Sequence, residues 1–168
     1  MQSSAWRRVF VRIAIAIVVA AAPQLPAQAT TRDSAEVHAA VTAFLRAFED
    51  LDWERFHTAF AEDITAFFPT PEPPQRFVGR PAVEAQFRRV FEAIRKGAAA
   101  GPPYQHLPPA DLRIEMLSPR AALVSFELRN AERIGRRTLV LRRGAVGWRI
   151  THLHASNVPV APHAPPGA

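Results

Sequence analysis

The fold is decided by one stretch near the end of the chain, Trp148-Arg149-Ile150-Thr151-His152-Leu153-His154-Ala155-Ser156-Asn157-Val158-Pro159. Its side chains alternate with a period of two, which predicts a β-strand. One predicted face carries Trp148, Ile150, His152 and His154, and the other carries Thr151, Leu153 and Ala155. Because neither face has the polar composition of a solvent-exposed face, we expect a strand inside a sheet that is covered on both sides.

Three more segments with the same period precede this strand, at residues 112–117, 121–129 and 136–143. Ser118-Pro119-Arg120 and Gly144-Ala145-Val146-Gly147 are compact turn sequences between neighbouring segments. Short turns join antiparallel strands, so the last third of the chain is predicted to be an antiparallel meander of four strands.

The first part of the chain has helical periodicity instead. Asp33 is predicted to cap a first helix whose apolar stripe lies at Val37, Val41, Phe44, Leu45, Phe48 and Leu51. A second helix is predicted to start at Asp52 and to end at Glu62-Asp63, before a short strand at residues 64–68 and its partner at 76–78. A third helix follows Pro81, with a stripe at Val83, Phe87, Val90, Phe91 and Ile94. This order predicts an α+β fold with the helices on one face of a sheet.

The N-terminal segment has the features of a bacterial export signal. Three arginines precede an apolar run at residues 13–22, and Ala27-Gln28-Ala29 has the small-x-small pattern of a cleavage site. We therefore expect a cleaved signal at residues 1–29, a folded domain at 30–159, a disordered tail at 160–168, and a periplasmic or secreted protein. The run Trp6-Arg7-Arg8-Val9-Phe10-Val11-Arg12 also resembles a twin-arginine signal, and both export routes stay open.

The charge and the cysteine content narrow the classes of partner. Lys and Arg number 21 and Asp and Glu 15, and removal of the three signal arginines leaves 18 basic residues against 15 acidic ones. So small an excess does not favour nucleic-acid binding. The chain has no Cys, so no lipid anchor is expected after cleavage, and stability must come from packing without disulfides.

The order of elements and the closing run resemble the SnoaL-like branch of the nuclear-transport-factor-2-like superfamily. The run is similar to the end of the association (hub) domain of calcium/calmodulin-dependent protein kinase II, Trp-x-Ile-Val-His-x-His-x-Ser-x-x-Pro. Thr65-Ala66-Phe67-Phe68-Pro69 is similar to Thr-Ala-Phe-Glu-Pro of the same domain. The resemblance covers residues 33–159 and implies a cone-shaped fold in which three N-terminal helices pack on a curved antiparallel sheet around an inner cavity. The superfamily contains isomerases, dehydratases, hydrolases and members without chemistry, so the fold leaves the function open.

The resemblance also implies a pocket. The charged cavity positions of the hub domain fall on Glu127, Leu139, Ala155 and Phe68, so its arginines are not kept. The implied apolar lining is Phe56, Phe68, Val83, Phe91, Leu139 and Leu153, with Thr151 and Ala155 on the same strand face and Glu127 as the one ionisable group. Such a carboxylate would repel an anionic ligand, and burial would raise its pKa.

Glu127 is the candidate catalytic residue, because a carboxylate tuned by an apolar cavity can act as a general acid or base. The alternative is that Glu127 pairs with an arginine such as Arg149. Two histidines at 152 and 154 could share a metal, but without a third ligand we interpret them as structural residues and expect no metal and no cofactor. Asp63 is interpreted as a turn or capping residue rather than as a base.

These observations lead to three hypotheses. The first is an exported SnoaL-like domain that holds a small apolar molecule in its cavity and forms a homodimer through the outer sheet face, because three helices can cover only one of two apolar faces. The second is an isomerase, dehydratase or hydrolase that uses Glu127. The third is an oligomeric assembly module like the kinase hub.

Overall fold

The computed structural model describes residues 27–70, 76–98 and 101–160, with side chains from residue 31 onward. The predicted export signal as far as residue 26 and the predicted tail from residue 161 onward lie outside the described residues. No helix within the described ranges is both long enough and apolar enough to cross a membrane.

The described elements follow an α+β order. The helices are α1 (Ala27–Glu49), α2 (Trp53–Phe56) with a 3₁₀ turn (His57–Ala59), and α3 (Arg80–Gly97). The strands are β1 (Phe60–Phe67), β2 (Arg76–Val78), β3 (Ala110–Ser118), β4 (Ala121–Arg129), β5 (Arg133–Gly144) and β6 (Gly147–Pro159). The fold class predicted from the sequence is confirmed, since three helical segments precede the meander β3 to β6.

The six strands form one sheet in the order β2-β1-β6-β5-β4-β3. The meander pairs antiparallel throughout, as the short turns predicted. The sheet is nevertheless mixed, because β1 pairs with β6 in parallel, with Ala66 opposite Leu153. The chain between β1 and β6 passes through β2, α3 and the strands β3 to β5. This long connection makes the parallel pairing possible, since no tight turn has to join the two strands.

A β-bulge in β6 changes the predicted strand faces. Leu141 pairs with Ile150 while its neighbour Val140 pairs with His152, so Thr151 is an extra residue on the β6 side. Trp148 and Ile150 before the bulge and Leu153 and Ala155 after it are therefore all buried on the inner face. The prediction that Trp148 and Ile150 share a face with the two histidines was wrong, because strict alternation does not continue through a bulge.

Two predictions for the N-terminal half were also wrong. The second helix is shorter than predicted: the chain is already a strand from Phe60, so Asp63 lies within β1 and not at a helix end. Asp33 does not cap α1, because the helix starts at Ala27 and the Asp33 carboxylate instead accepts a hydrogen bond of 2.8 Å from Arg143.

The core lies between the helices and the inner face of the sheet. Phe56 is its centre, fully buried, with the ring centroids of Phe44, Phe87 and Phe91 at 4.8 to 5.0 Å. All strongly buried side chains of β4 and β5 point to this side. Burial of aromatic rings at such distances contributes both apolar area and favourable ring contacts, and it fixes how α1, α2 and α3 lie on the sheet.

Candidate ligand pocket

A pocket of about 160 Å³ lies between α1 and α3 on one side and the inner sheet face on the other. Its lining residues are Phe44, Leu45, Phe48, Phe68, Pro69, Phe87, Val90, Leu107, Phe126, Leu128, Arg137, Leu139, Leu153 and Ala155. Thirteen of these are apolar, and Arg137 is the charged one. An apolar cavity of about 150 Å³ is known to hold one benzene molecule, so this pocket has the size for a single small ring or a short aliphatic chain.

Four of the residues predicted to line a pocket lie together in this one: Phe68, Leu139, Leu153 and Ala155. Phe68 directly follows β1. Leu139, Leu153 and Ala155 come from β5 and β6, where strand alternation brings them to the inner face.

Three other predicted pocket residues lie deeper, in the closed core. Phe56 and Val83 are fully buried and Phe91 is nearly so. Phe56 and Phe91 contact each other with ring centroids 4.9 Å apart, and Phe48 lies between them and the pocket, with its own ring 5.4 Å from that of Phe91. Their aromatic character is therefore used for packing.

Glu127 lies away from the pocket. Phe126 and Leu128 are the β4 residues that line it, and strand alternation turns the side chain between them to the outer face. There the Glu127 carboxylate accepts a hydrogen bond of 2.8 Å from Arg129, a half-exposed guanidinium that also pairs with Asp111. The placement of Glu127 in the cavity was wrong, and the alternative of an arginine partner is the one observed, with Arg129 in place of Arg149.

Thr151 and Asp63 also lie outside the pocket. Thr151 is the bulge residue of β6, and its hydroxyl donates to the carbonyl of Val140 at 3.2 Å. Asp63 receives two hydrogen bonds of 2.9 Å from Arg142, which lower the pKa of its carboxyl group. A carboxylate in this pair is held in its charged form and is a poor proton acceptor.

His152 and His154 lie on the outer face, opposite Leu153 and Ala155. The Nδ1 atom of His152 is 2.7 Å from the hydroxyl of Thr65, and both imidazoles contact the ring of Phe67. Burial lowers the pKa of His152, and the charges of His154 and Arg76 lower it further. The described residues contain no group of three or more His, Asp or Glu side chains that could hold a metal ion.

Arg137 is the functional candidate that sequence reasoning missed. It lies on β5 two residues before Leu139, and alternation places both side chains on the inner face. The signal was present in the sequence, because a strand that turns Leu139 and Leu141 inward must also turn Arg137 inward. The arginine was instead grouped with Arg136 as part of a solvated surface.

A larger depression of about 400 Å³ lies on the other side of α1, against the start of β6. Alanines of α1 and the rings of Phe44 and Trp148 form its floor, and Asp50, Arg46 and Arg149 are among its charged residues. The indole N–H of Trp148 is buried there without an acceptor among the described residues. This depression is lined by charges of both signs, so it does not select one class of ligand.

The lining of the first pocket is almost wholly apolar. Within the described parts of the chain, its lining includes no carboxylate, imidazole or thiol that could act as a general acid, base or nucleophile. Apolar walls with one oriented polar group are the usual composition of a small-molecule site.

Comparison with known proteins agrees with this fold. A solved NTF2-like protein of unknown function from Pseudomonas putida is 22% identical, with a TM-score of 0.62, covering 75% of this chain and 87% of its own. A cystatin-like fold protein from Burkholderia xenovorans is 20% identical, with a TM-score of 0.61 and coverages of 77% and 94%. A ketosteroid isomerase-like protein from Erwinia carotovora atroseptica is 18% identical, with a TM-score of 0.59 and coverages of 77% and 98%.

Likenesses at this level of identity show the fold alone. No protein with a curated function matches the sequence. The family model of the SnoaL-like domain matches residues 37–161, which include α1 from its first core residue, the two helices that follow and the whole sheet. The chain belongs to the SnoaL-like family.

Proposed function

We propose that this protein is an exported SnoaL-like domain that binds a small, largely apolar molecule in the pocket between α1, α3 and the sheet, and that it does so as a homodimer. The observation that carries the proposal is the pocket itself: about 160 Å³ of space with almost wholly apolar walls between the helices and the inner face of the sheet. Concave sites with mostly apolar walls and a single oriented polar group are typical of small-molecule binding, and this composition supports the proposal.

Binding is favoured over acid–base catalysis because the proposed catalytic carboxylate is elsewhere. Glu127 is paired with Arg129 on the outer face, and the pocket wall offers no substitute for it among the described residues. An enzyme built on Glu127 is therefore not proposed.

The pocket is tested with toluene, a neutral ring of suitable size, by isothermal titration calorimetry and thermal unfolding. Ala155 lies in the pocket wall, so Ala155→Phe should fill the space and abolish toluene binding while the fold remains. Val146→Phe is the matched control, because it adds a ring in the exposed turn between β5 and β6. We expect toluene to bind and to raise the melting temperature of the wild type and of the control only.

Two outcomes would contradict the pocket assignment. Absence of toluene binding to the wild type would show that the space is not accessible to a ring of this size. Equal binding by Ala155→Phe and the wild type would place the toluene site elsewhere. Far-UV circular dichroism of each variant separates loss of binding from loss of fold.

The dimer proposal rests on the outer sheet face. Leu123 pairs with Val140, which pairs in turn with His152. These three residues form a row that is only partly buried, because the helices cover the inner face only. Arg113 and Glu115 lie on the same face of β3. A surface with apolar residues and both signs of charge can be self-complementary about a two-fold axis.

Sedimentation velocity tests the dimer. Leu123→Asp puts a charge in the centre of the row and should give monomers, whereas Val146→Asp, in the exposed turn, should leave the dimer intact. A wild type that sediments as a monomer at micromolar concentration would refute the dimer.

Export is tested by expressing the full chain in a bacterium and sequencing the N-terminus of the product. A mature chain that starts at Thr30 in the periplasm or the medium would support the signal at residues 1–29. Replacement of Arg7 and Arg8 by lysines should retain the precursor in the cytoplasm only if the twin-arginine route is used. An uncleaved cytoplasmic wild-type chain would contradict export.

A further inference from the structure

Arg137 gives the apolar pocket a positive charge at one place. It extends from the inner face of β5 beside Leu139 and Leu153, and the other lining residues carry no charge. A long cationic side chain turned toward an apolar wall needs a compensating interaction, because removal of its water costs free energy.

The guanidinium is held by neutral oxygen atoms. Its Nη1 donates to the carbonyls of Arg136 at 2.8 Å and Ser156 at 3.0 Å, and both terminal nitrogens approach the side-chain oxygen of Asn157 at 3.4 Å. Gly135 makes room for it: a Cβ atom there would lie 2.9 Å from Nη2 and 3.0 Å from Nη1. The position of the charge is thus built into β5 and β6.

No acidic partner neutralises this guanidinium within the described ranges of the chain. Arg80, Arg129, Arg142 and Arg143 each have at least one carboxylate within 4.0 Å, and Arg137 has none. Burial lowers the pKa of Arg137, and the nearby charge of Arg133 lowers it further. Arginine stays protonated in proteins all the same. The pocket lining therefore includes a partly buried cation that no carboxylate of the described residues neutralises.

One edge of the guanidinium remains open. Nε–H and one N–H of Nη2 have no hydrogen-bond partner among the described residues, since the bonds that are formed use Nη1 and a single long contact of Nη2. These two N–H groups are parallel neighbours on the planar guanidinium. A carboxylate accepts such a pair through its two oxygens, one bond to each.

We propose that the ligand of the pocket carries a carboxylate that Arg137 binds through this open edge, while the apolar body of the ligand packs against Phe48, Phe87 and Leu139. The proposal rests on the proposed function, because it names the ligand class of the same pocket. It reverses the expectation that the site would repel a small carboxylate, which depended on Glu127 being the charge inside it.

The test compares benzoate with benzamide, which have the same ring and nearly the same shape but differ in charge. Isothermal titration calorimetry should show that the wild type binds benzoate at least about tenfold more tightly than benzamide. In Arg137→Gln this ratio should fall to about one, with the affinity for benzamide kept within about threefold. Arg136→Gln is the matched control, because the neighbouring arginine lies on the outer face and its loss should leave the ratio unchanged.

Two further variants distinguish charge from geometry. Arg137→Lys keeps a cation without the planar pair of donors, so it should keep only part of the preference for benzoate. Gly135→Ala introduces a methyl group where the guanidinium lies and should displace this flexible group without unfolding β5. We expect Gly135→Ala to lower the affinity for benzoate and to leave that for benzamide unchanged, which a merely structural role of Arg137 would not produce.

The outcomes separate this proposal from the pocket assignment. If toluene and benzamide bind but benzoate binds no more tightly than benzamide, the carboxylate proposal is wrong and the pocket assignment stands. If benzoate is preferred but Arg137→Gln, folded by circular dichroism, keeps the preference, Arg137 is not the carboxylate-binding group. If none of the three probes binds, both proposals are wrong.

Discussion

Replacement of Phe56 by alanine should destabilise the protein strongly, because this ring belongs to the closed core and not to the pocket wall. Phe56 has no exposed surface. Its ring centroid lies 5.0 Å from that of Phe44, 5.2 Å from Phe60, 4.8 Å from Phe87 and 4.9 Å from Phe91. Removal of a buried phenylalanine side chain costs about 3 to 5 kcal/mol, and a site with four close rings belongs at the upper end of that range.

The measurement is urea unfolding followed by far-UV circular dichroism, with the slope of the transition compared between variants. Phe77→Ala is the matched control, since Phe77 is half-buried on the edge strand β2 and contacts one other ring, that of Phe68. We expect the control to lose about 1 to 2 kcal/mol of unfolding free energy, less than half the loss at Phe56. A loss below about 2 kcal/mol at Phe56 with an unchanged slope would refute the reasoning, and Phe56 would then line an accessible space, as the family resemblance implied.

Three more predictions concern other parts of the chain. Glu127→Gln should leave the affinity for toluene unchanged, and a change of more than about threefold, measured by calorimetry, would return this residue to the pocket. Gly79→Ala should cost about 1 to 3 kcal/mol, because its φ of 83° and ψ of 149° suit only glycine, whereas Gly97→Ala at the end of α3 should be nearly neutral in the same urea titration. The pKa of His152 is lower in the folded protein than in the unfolded chain, so the unfolded chain binds a proton first as the pH falls. The free energy of unfolding should therefore decrease as the pH falls from about 6.5 to the pKa of the folded state. His152→Gln should lose this component of the pH dependence in urea titrations between about pH 7 and pH 5, and an identical pH profile in both proteins would contradict it.

The strands of the meander could be predicted because their determinants are local. Alternation of apolar and polar residues sets the strand, and a short turn sets the antiparallel partner, so β4 was predicted with its observed limits, Ala121–Arg129. The parallel pair of β1 and β6 was not predicted, since the two strands are far apart in sequence and no turn connects them. The end of α2 was misplaced for a related reason: Phe60 fits a helical stripe as well as a strand, and its pairing opposite Ile150 decides in favour of the strand.

The bulge at Thr151 shows a limit of a different kind. An extra residue in one strand is a property of the pairing between two strands, so a prediction that assumes strict alternation along a single strand does not include it. Strict alternation puts Trp148 and Ile150 on one face of the strand and Leu153 and Ala155 on the other. Only one of these two pairs could then be predicted to face the core. The bulge lets both pairs face inward and leaves the histidines outside.

The predicted charge of the pocket was wrong because Glu127 was assigned to the wrong face of β4. The family resemblance brought Glu127 inward, although alternation along the same strand separates it from Phe126 and Leu128, which are the residues that line the pocket. A shift of one position in a strand exchanges its two faces, so an alignment that is correct to within one residue can still reverse the charge of a cavity. Once Leu139 is known to face inward, alternation along β5 also puts the side chain of Arg137 on the inner face. The charged group of the pocket lining is therefore a cation and not a carboxylate, and we expect the pocket to prefer a ligand with a carboxylate over a neutral one of the same shape.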